Sequence, residues 1–195
     1  MSVPAPDWEN PARLRRLKHA RKDLLCRATG ADSTHGLLVL DACAGLGHDT
    51  LTLLFAGARV RACERHPAVF AALQAEYRRL CDGAFWGPVL GRLELIHADA
   101  VEVMQTEPHD VIYLDPMYPE TRRKAAATAA MQSLAELVGG DEDADRLLAP
   151  ARRSVRRRVV VKRPRRAAPL GGQAAHETVA GKALRFDLYR PEAAR

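Results

Sequence analysis

The chain has 195 residues and a formal net charge of +6, which is enough length for one domain with a substantial core and too little for two of ordinary size. No apolar run approaches the roughly 18 residues of a membrane span, and the first residues lack the cationic and apolar blocks of a signal peptide. These features argue against a membrane-bound or secreted protein, so we expect a soluble, cytoplasmic protein without a membrane partner.

The four cysteines are spaced 17 to 20 residues apart, with no close pair that would suggest a zinc site. A small secreted disulfide framework would also need denser spacing. We therefore expect reduced, mostly buried thiols and no bound metal. The cysteines are Cys26, Cys43, Cys63 and Cys81.

The positive charge is concentrated in two segments. Residues 13–27 carry seven Lys or Arg against one Asp, and residues 152–166 carry nine and no acidic residue. Such asymmetry creates a localised positive surface, which attracts polyanions through counterion release. The pattern favours a nucleic-acid partner, and a merely solubilising surface stays open as an alternative.

The first predicted element is a helix from Ala12 to about Thr29, which follows a proline-containing start and ends at Gly30. Its basic composition predicts a helical N-terminal arm over residues 1–30. The remaining residues, 31–195, are predicted to form one domain.

After the arm, strand and helix patterns alternate. Apolar or β-branched runs predict strands at GLLVLD, ARVRACE, RLELIHAD, DVIYLDP, RRVVVKRP and LRFDLYR. Helices are predicted from about His48 to Ala56, from Pro67 to Leu80, from about Thr121 to Val138, and from near Asp141 into the following arginines. This alternation predicts an α/β fold, with a mostly parallel twisted sheet covered by helices on both faces.

The polar ends of the first strands indicate a ligand site, because ligands of open α/β sheets collect at the carboxyl ends of the strands. Asp41 ends the first strand, Gly45 and Gly47 allow close backbone approach, and a helix follows. Glu64 ends the next strand, where a carboxylate can accept hydrogen bonds from both hydroxyls of a ribose. Together these residues predict a cofactor that contains a nucleoside.

The residues at the helix start distinguish between cofactors. A dinucleotide fingerprint needs a third small residue at position 50 and no anion near the bound pyrophosphate, whereas this chain has Thr50 and the carboxylate of Asp49. Acidic residues on both sides of the glycines suit an amino group and a sulfonium cation. We therefore predict S-adenosylmethionine, with a nicotinamide dinucleotide or a purely structural glycine turn as alternatives.

A third strand end, IHADA, places Asp99 where its side chain can meet the exocyclic amine of an adenine, with Ala100 supplying a backbone N–H. A single Asp at a strand end is more often a turn former or a helix cap. Because Asp99 is third in a series after Asp41 and Glu64, we interpret it as a cofactor contact.

The DPMYP stretch, residues 115–119, is similar to the Asp/Asn-Pro-Pro-Tyr/Phe signature of class I S-adenosylmethionine-dependent methyltransferases that act on exocyclic amines of bases. A narrower resemblance is carried by DACAGLGHDT, CERHP, LELIHADA, VIYLDPMYP, LLAPARR, RVVVKRP and RFDLY. In order and spacing these motifs resemble the RsmJ family, which methylates N2 of a guanine in small-subunit (16S) ribosomal RNA. The resemblance covers roughly residues 37–189.

The resemblance implies a Rossmann-like class I methyltransferase fold with a late antiparallel strand, S-adenosylmethionine as cofactor, and ribosomal RNA or the small ribosomal subunit as partner. It implies cofactor contacts at His48 and Asp49, at Glu64 and Arg65, at Asp99 and Ala100, and at Asp115. His48 stands where family members commonly carry Arg or Gly, and DACAG replaces the usual DATAG. A further N-terminal section that is usual in the family is largely replaced here by the basic arm.

Asp115, Pro116 and Tyr118 are the predicted catalytic residues. The N2 lone pair of guanine is delocalised into the ring, so an acceptor has to orient the amine. Asp115 and the carbonyl of Pro116 can accept both amine protons in a turn that the prolines stiffen. Tyr118 can stack on the target base, a contact typically worth about 1–3 kcal/mol. Nothing in this scheme requires Asp115 to act as a general base.

Three other functions stay open from the sequence. The Asp-Pro-x-Tyr geometry serves the N6 amine of adenine in RNA or DNA equally well. A non-catalytic RNA-binding module with the same fold and a nicotinamide-dependent reductase are the remaining alternatives.

Contacts to RNA are predicted at two places. Lys162 and Arg163 end the VVVKRP strand at the expected edge of the site, where they can hold phosphate near the target. Arg122 and Arg123 follow DPMYP after two intervening residues and are interpreted in the same way. Solvated surface charges are the alternative for both pairs.

Overall fold

A computed structural model of the chain describes residues 3–116 and 144–193. Within these ranges seven strands form one sheet: β1 (Leu38–Asp41), β2 (Arg59–Glu64), β3 (Leu93–His97), β4 (Val111–Leu114), β5 (Arg158–Pro164), β6 (Glu177–Ala180) and β7 (Leu184–Tyr189). Their order is β3-β2-β1-β4-β5-β7-β6. The pairs from β3 to β5 are parallel, and β7 is antiparallel to β5 and to β6. The predicted mostly parallel sheet with a late antiparallel strand is confirmed.

The described α-helices are α1 (Pro11–Leu17), α2 (Leu24–Thr29), α3 (His48–Ala56), α4 (Pro67–Leu80), α5 (Gly87–Leu90), α6 (Ala100–Thr106) and α7 (Leu148–Ser154). Short 3-10 helices cover Ala20–Lys22, Ala144–Leu147 and Leu170–Gly172. The sequence predicted α3, α4 and a helix leading into the arginines near α7, but not α5, α6 or β6. The helix predicted from Thr121 to Val138 lies outside the described residues.

The single helix predicted over residues 12–29 is wrong, because the segment is divided at Asp23. The backbone of Asp23 is extended, with φ −67° and ψ 143°, and its carboxylate accepts a 3.0 Å hydrogen bond from the N–H of Leu25. This is the geometry of an N-cap, which begins α2 and is incompatible with a continuous helix.

Helices cover both faces of the sheet, as predicted. On one face Val39, Val111 and Val160 pack in a cluster that includes residues of the helices from α1 to α5. On the other face the alternate residues of the same strands, such as Leu40 and Ile112, pack with residues of α6 and α7. The period of two along the central strands therefore divides their buried residues between two cores.

The N-terminal segment shares the first of these cores. Trp8 is fully buried, and Leu17, Leu25 and Cys26 lie in the same hydrophobic cluster as Val39 of β1. The division of the chain at residue 30 stays a prediction.

The strand order reverses beside β1, which pairs with β2 on one side and β4 on the other. In register, Asp41 lies beside Ala62 of β2 and beside Tyr113 of β4. The carboxyl ends of these strands therefore meet at one edge of the sheet, at the kind of switch point where α/β folds bind ligands. No helix within residues 3–116 and 144–193 is long and apolar enough to cross a membrane.

Candidate active site

A cleft with a volume of about 280 Å³ lies at the carboxyl ends of β1 to β4. Nine of the ten predicted cofactor contacts line it: Asp41, Gly45, His48, Asp49, Glu64, Arg65, Asp99, Ala100 and Asp115. Polar lining residues that the sequence did not assign to a cofactor site are Arg16, Cys43, Cys63, Tyr113, Arg146 and Lys162. The fold thus brings the strand-end carboxylates together around a single cavity.

The glycine loop between β1 and α3 is held from outside by Trp8. Gly45 and Gly47 have φ of 54° and 75°, values that favour glycine. The indole Nε1 of Trp8 donates a 2.9 Å hydrogen bond to the carbonyl oxygen of Leu46. A Cβ on Gly47 would stand 2.9 Å from the Trp8 ring. Gly47, the tenth predicted contact, is not among the cleft residues, and its lack of a side chain allows Trp8 to pack against the loop.

His48 closes the same loop. Its Nε2 lies 3.0 Å from the carbonyl oxygen of Pro6. Burial and the nearby Arg13 lower the pKa of His48, so a neutral imidazole that donates from Nε2 accounts for the contact. The N-terminal segment therefore forms part of the support of the cleft.

Glu64, at the end of β2, has both carboxylate oxygens fixed by backbone donors. Oε2 accepts from the N–H of Gly45 at 2.9 Å, and Oε1 accepts from the N–H of His66 at 2.7 Å. A carboxylate offers about four acceptor positions, so these bonds orient Glu64 without exhausting it. An acceptor held in this way suits the hydroxyls of a ribose.

Asp99 is both a helix cap and a residue of the cleft, two roles that the sequence analysis treated as alternatives. It is the N-cap of α6, where its Oδ1 accepts from the N–H of Val101 at 2.8 Å, and it also lines the cleft. Its carboxylate forms an ion pair with Arg146, whose hydrogen bond lowers the pKa of Asp99. Arg146 is separated from Asp99 by 47 positions, and no local pattern marks it as a partner.

Asp41 is almost fully buried, with 1% of its surface exposed. Its Oδ2 accepts a 2.6 Å hydrogen bond from the hydroxyl of Thr50, and its Oδ1 a 3.4 Å bond from the N–H of Cys43. Burial, reinforced by the charge of Asp49, outweighs these bonds and raises the pKa of Asp41 to about 7. The carboxyl group is therefore partly protonated near neutral pH.

Lys162 joins two carboxylates in the cleft. Its Nζ donates to Oδ2 of Asp49 and to Oδ2 of Asp115, at 2.7 Å in each case. The hydroxyl of Tyr113 donates to the same oxygen of Asp49 at 2.7 Å. Burial by itself would lower the pKa of Lys162, but the two carboxylates outweigh it and raise that pKa, so the ammonium stays charged.

Asp49 responds to the same contacts. Burial would raise its pKa, but Lys162 and the hydrogen bonds that it and Tyr113 donate hold the pKa of Asp49 below its ordinary value. Tyr113 itself has a raised pKa, first because of burial and then because of the nearby carboxylates, so its hydroxyl remains a donor. The cleft therefore contains an ionised carboxylate beside the start of α3, where an anionic pyrophosphate would be repelled.

The predicted RNA contacts fall in different surroundings. Lys162 is inside the cleft, and Arg163, on the opposite face of β5, is only 8% exposed and donates to the carbonyl oxygen of Ala168. Arg122 and Arg123 lie outside the described residues, as does the predicted catalytic Tyr118. Their contacts with RNA stay predictions.

The residues present fit S-adenosylmethionine. A nucleoside with a cationic substituent needs acceptors for its ribose and amino groups and carboxylates for its positive charge, and Glu64, Asp99 and Asp49 provide these groups around one cavity. Pro116, which directly follows Asp115, is buried beside the cleft. Within the described ranges, no group of three or more His, Cys, Asp or Glu side chains is arranged to hold a metal ion.

Comparison with protein families gives one model, described as "Putative SAM-dependent methyltransferase", that matches residues 7–191. Proteins named Ribosomal RNA small subunit methyltransferase J from Edwardsiella ictaluri and Yersinia enterocolitica are each 44% identical over 183 residues. The matched region spans 92% of this chain and 73% of each relative.

The solved structures that are similar to this fold include two methyltransferases. The SAM-dependent methyltransferase from Neisseria gonorrhoeae is 33% identical with a TM-score of 0.77, and the match covers 100% of this chain and 77% of that one. The 16S rRNA N2 methyltransferase of T. thermophilus, in complex with AdoMet and guanosine, is 19% identical with a TM-score of 0.54, covering 94% and 43%. The second likeness concerns the fold alone.

Proposed function

Because the chain belongs to the ribosomal RNA small subunit methyltransferase J family, we propose that it transfers a methyl group from S-adenosylmethionine to N2 of a guanine in small-subunit ribosomal RNA. The observation that carries this proposal is the position of Asp115, which lines the same cleft as Gly45 and Glu64. A base amine held by Asp115 would therefore be next to the cofactor cavity.

The cofactor, when bound, supplies a methyl group on an electrophilic sulfonium. The residues of the chain have to orient a poor nucleophile toward it. The carboxylate of Asp115 and the carbonyl of Pro116 accept hydrogen bonds from the two amine N–H groups, which aligns the nitrogen lone pair with the cofactor cavity. The nitrogen loses one proton after it has taken up the methyl group. Tyr118 stacks on the guanine and offsets part of the cost of unstacking the base from the RNA.

The cofactor contacts divide by chemistry. Glu64 accepts hydrogen bonds from the ribose, and Arg65 follows it at the rim of the cleft. Asp99 and the N–H of Ala100 recognise the adenine edge. His48 and Asp49, at the start of α3, hold the amino-acid part of the cofactor.

The substrate is ribosomal RNA, naked or within the small subunit, and the cytoplasm is the compartment in which this reaction takes place. The basic segments at residues 13–27 and 152–166 would attract RNA through counterion release. Lys162, Arg163, Arg122 and Arg123 are the phosphate contacts that the sequence suggests. We retain a basic arm over residues 1–30 and a methyltransferase domain over residues 31–195 as the division of the chain.

The test is transfer of tritiated methyl groups from S-adenosylmethionine to unmodified small-subunit RNA and to assembled subunits. We expect incorporation by the wild-type protein and a loss of about 100-fold or more with Asp115→Asn, which keeps the shape but not the charge of the acceptor. Asp82→Asn, at an exposed position that does not line the cleft, is the matched control and should stay active. Incorporation no greater than that of Asp115→Asn would reject the proposal.

Nucleoside mass spectrometry of the product identifies the methylated atom. We expect N2-methylguanosine, and N6-methyladenosine would replace this proposal by the adenine alternative. Mapping of modified nucleosides in ribosomal RNA from cells that lack the protein would locate the target nucleotide.

A further inference from the structure

We propose that Lys162 is a positioning residue for methyl transfer, whose ammonium keeps the amine-accepting carboxylate of Asp115 ionised and fixed against Asp49. The inference rests on the proposed function and deepens it, because it assigns a task within the reaction to a residue that the sequence suggested as an RNA phosphate contact.

The fold places Lys162 opposite Asp115 for a definite reason. β4 and β5 are parallel, with Tyr113 beside Val160 and Leu114 beside Val161, so Asp115 and Lys162 are the next neighbours along the two strands. Residues two apart on a strand share a face, and Asp115 therefore lies on the face of Tyr113. α3 packs on that face and brings Asp49 from its first turn to the same ammonium.

The electrostatic consequence follows from the two 2.7 Å contacts of Nζ. Two carboxylates that share one cation at hydrogen-bond distance are close enough to repel each other when the cation is removed, and one of them then takes up a proton. A protonated Asp115 would present a donor in place of an acceptor. Its O–H would then face the N–H groups of the amine, and the hydrogen bond that orients the amine would be lost.

Other titratable groups face Asp49 and Asp115 from the neighbouring elements. Asp41 of β1 and Tyr113 of β4 interact with both carboxylates, and His48 of α3 and Arg13 of α1 interact with Asp49. Arg16 of α1 also acts on Asp49, but its side chain is 60% exposed and its guanidinium is ion-paired with Asp23. Within the part of the chain that the structure describes, Lys162 is the cation that is hydrogen-bonded to both carboxylates.

The experiment compares Lys162→Met with Lys162→Arg, Lys162→Gln and Lys182→Met. Methionine removes the charge and keeps an unbranched side chain, arginine keeps the charge in a different shape, and glutamine keeps a neutral donor if methionine prevents folding. Lys182, which is exposed in the turn between β6 and β7, controls for the loss of one positive charge from the protein.

Steady-state kinetics on small-subunit RNA give the first readout. We expect Lys162→Met and Lys162→Gln to lower kcat about 100-fold, with a smaller change in KM for RNA, because the amine loses its fixed acceptor. Both variants should also gain an ascending limb in the kcat–pH profile between about pH 6 and pH 8, as the shared proton is lost. Lys162→Arg should keep the wild-type shape of the profile, and Lys182→Met should match the wild type throughout.

The second readout does not depend on turnover. Carboxyl carbons of ¹³C-aspartate-labelled protein are followed by NMR as a function of pH. Asp41→Asn, Asp49→Asn and Asp115→Asn assign the three signals, which separates the two carboxylates from Asp41, whose pKa is about 7. We expect the Asp49 and Asp115 signals of the wild type to remain those of ionised groups at neutral pH. In Lys162→Met or Lys162→Gln, one of the two should titrate in the neutral range.

The outcomes separate the two proposals. If the wild type transfers no methyl group, the proposed function fails, while the NMR titration still decides whether Lys162 controls ionisation. If the wild type is active and folded Lys162→Gln retains its kcat, Lys162 does not position the acceptor. A loss of kcat that is independent of pH, without a new carboxyl titration, would also overturn the inference by showing a purely structural role.

Discussion

The hydroxyl of Thr50 donates a 2.6 Å hydrogen bond to Oδ2 of Asp41, a carboxyl group with 1% of its surface exposed. The bond joins the first turn of α3 to the end of β1 and satisfies an acceptor that has little access to water. Thr50, which departs from a dinucleotide fingerprint in the sequence, thus fixes the start of α3 to the end of β1.

Thr50→Val removes this donor with almost no change in shape. We expect the free energy of unfolding to fall by about 1–3 kcal/mol, the usual effect of leaving a buried acceptor unsatisfied. Urea denaturation measures it. Thr52→Val, on the same helix, removes a hydroxyl that bonds to the carbonyl of His48, and it should cost less because that carbonyl belongs to the helix ladder. Equal losses of unfolding free energy in the two variants would contradict a special contribution of the hydrogen bond from Thr50 to Asp41.

Asp41 predicts a specific dependence of stability on pH. Its pKa of about 7 in the folded protein lies above the ordinary value of 3.8, so the folded state holds the proton more tightly between these values. The contribution of this group to stability is fully present below about pH 4 and is lost as the pH rises through 7.

Asp41→Asn removes that loss. Relative to the wild type, its free energy of unfolding should increase by on the order of 3 kcal/mol between pH 5 and pH 9, since one unit of pKa corresponds to about 1.4 kcal/mol. Denaturation of both proteins across this range, with Asp82→Asn as a surface control, gives the difference. A difference that does not change with pH would sink the prediction.

Packing against Leu73 and Trp8 requires a glycine at position 47, and Gly47→Ala tests this requirement. Its φ is 75°, and an added Cβ would lie 2.8 Å from Leu73 and 2.9 Å from Trp8. Gly36 has a similar φ of 68° with nothing within 4 Å, so Gly36→Ala reports backbone strain without a clash. We expect Gly47→Ala to be the more destabilising by about 1–3 kcal/mol in thermal or chemical unfolding. Similar losses of stability for the two substitutions would show that Leu73 and Trp8 move to accommodate the added methyl group.

Trp8 links the N-terminal segment to cofactor affinity. Trp8→Phe keeps an aromatic ring but removes the N–H that donates to Leu46, so the loop that carries Gly45 loses one restraint. We expect S-adenosylmethionine to bind about 3–10-fold more weakly by calorimetry, which corresponds to about 1 kcal/mol.

Trp86→Phe is the matched control for this substitution. Trp86 packs against Phe55, Phe85 and Trp8 itself and is not a residue of the cleft, so this substitution perturbs the same aromatic cluster but keeps the hydrogen bond from Trp8 to Leu46. Trp86→Phe should lower the stability of the protein without changing its affinity for S-adenosylmethionine. Unchanged affinity in Trp8→Phe would show that the loop keeps its shape without the indole.

The strand-end carboxylates were predictable because each has a signal in the residues that directly precede it. Asp41, Glu64, Asp99 and Asp115 each follow an apolar run, and parallel strands joined by helices end at the same edge of the sheet. Periodicity and turn residues were therefore enough to place these four groups around one cleft. The short β6, whose residues are mostly exposed, offered no comparable pattern.

The partners of these groups were not predictable. Lys162 is 113 positions from Asp49, and Trp8 is 38 positions from Leu46. A strand pattern shows that Lys162 and Arg163 face opposite sides of the sheet, but not which side holds α3. The division of the N-terminal helix at Asp23 is different, because its cause is the local N-cap that Asp23 forms with the N–H of Leu25.

The sequence alone therefore determined the α/β class and the edge at which ligand groups collect, and it favoured S-adenosylmethionine as the cofactor, because these depend on residue type and short-range periodicity. Only the tertiary structure decided which charges are paired. It also decided that Gly45 lines the cleft while Gly47 packs against Trp8, and that Lys162 binds two carboxylates. These properties depend on packing between elements that are distant along the chain, and local patterns do not encode those distances.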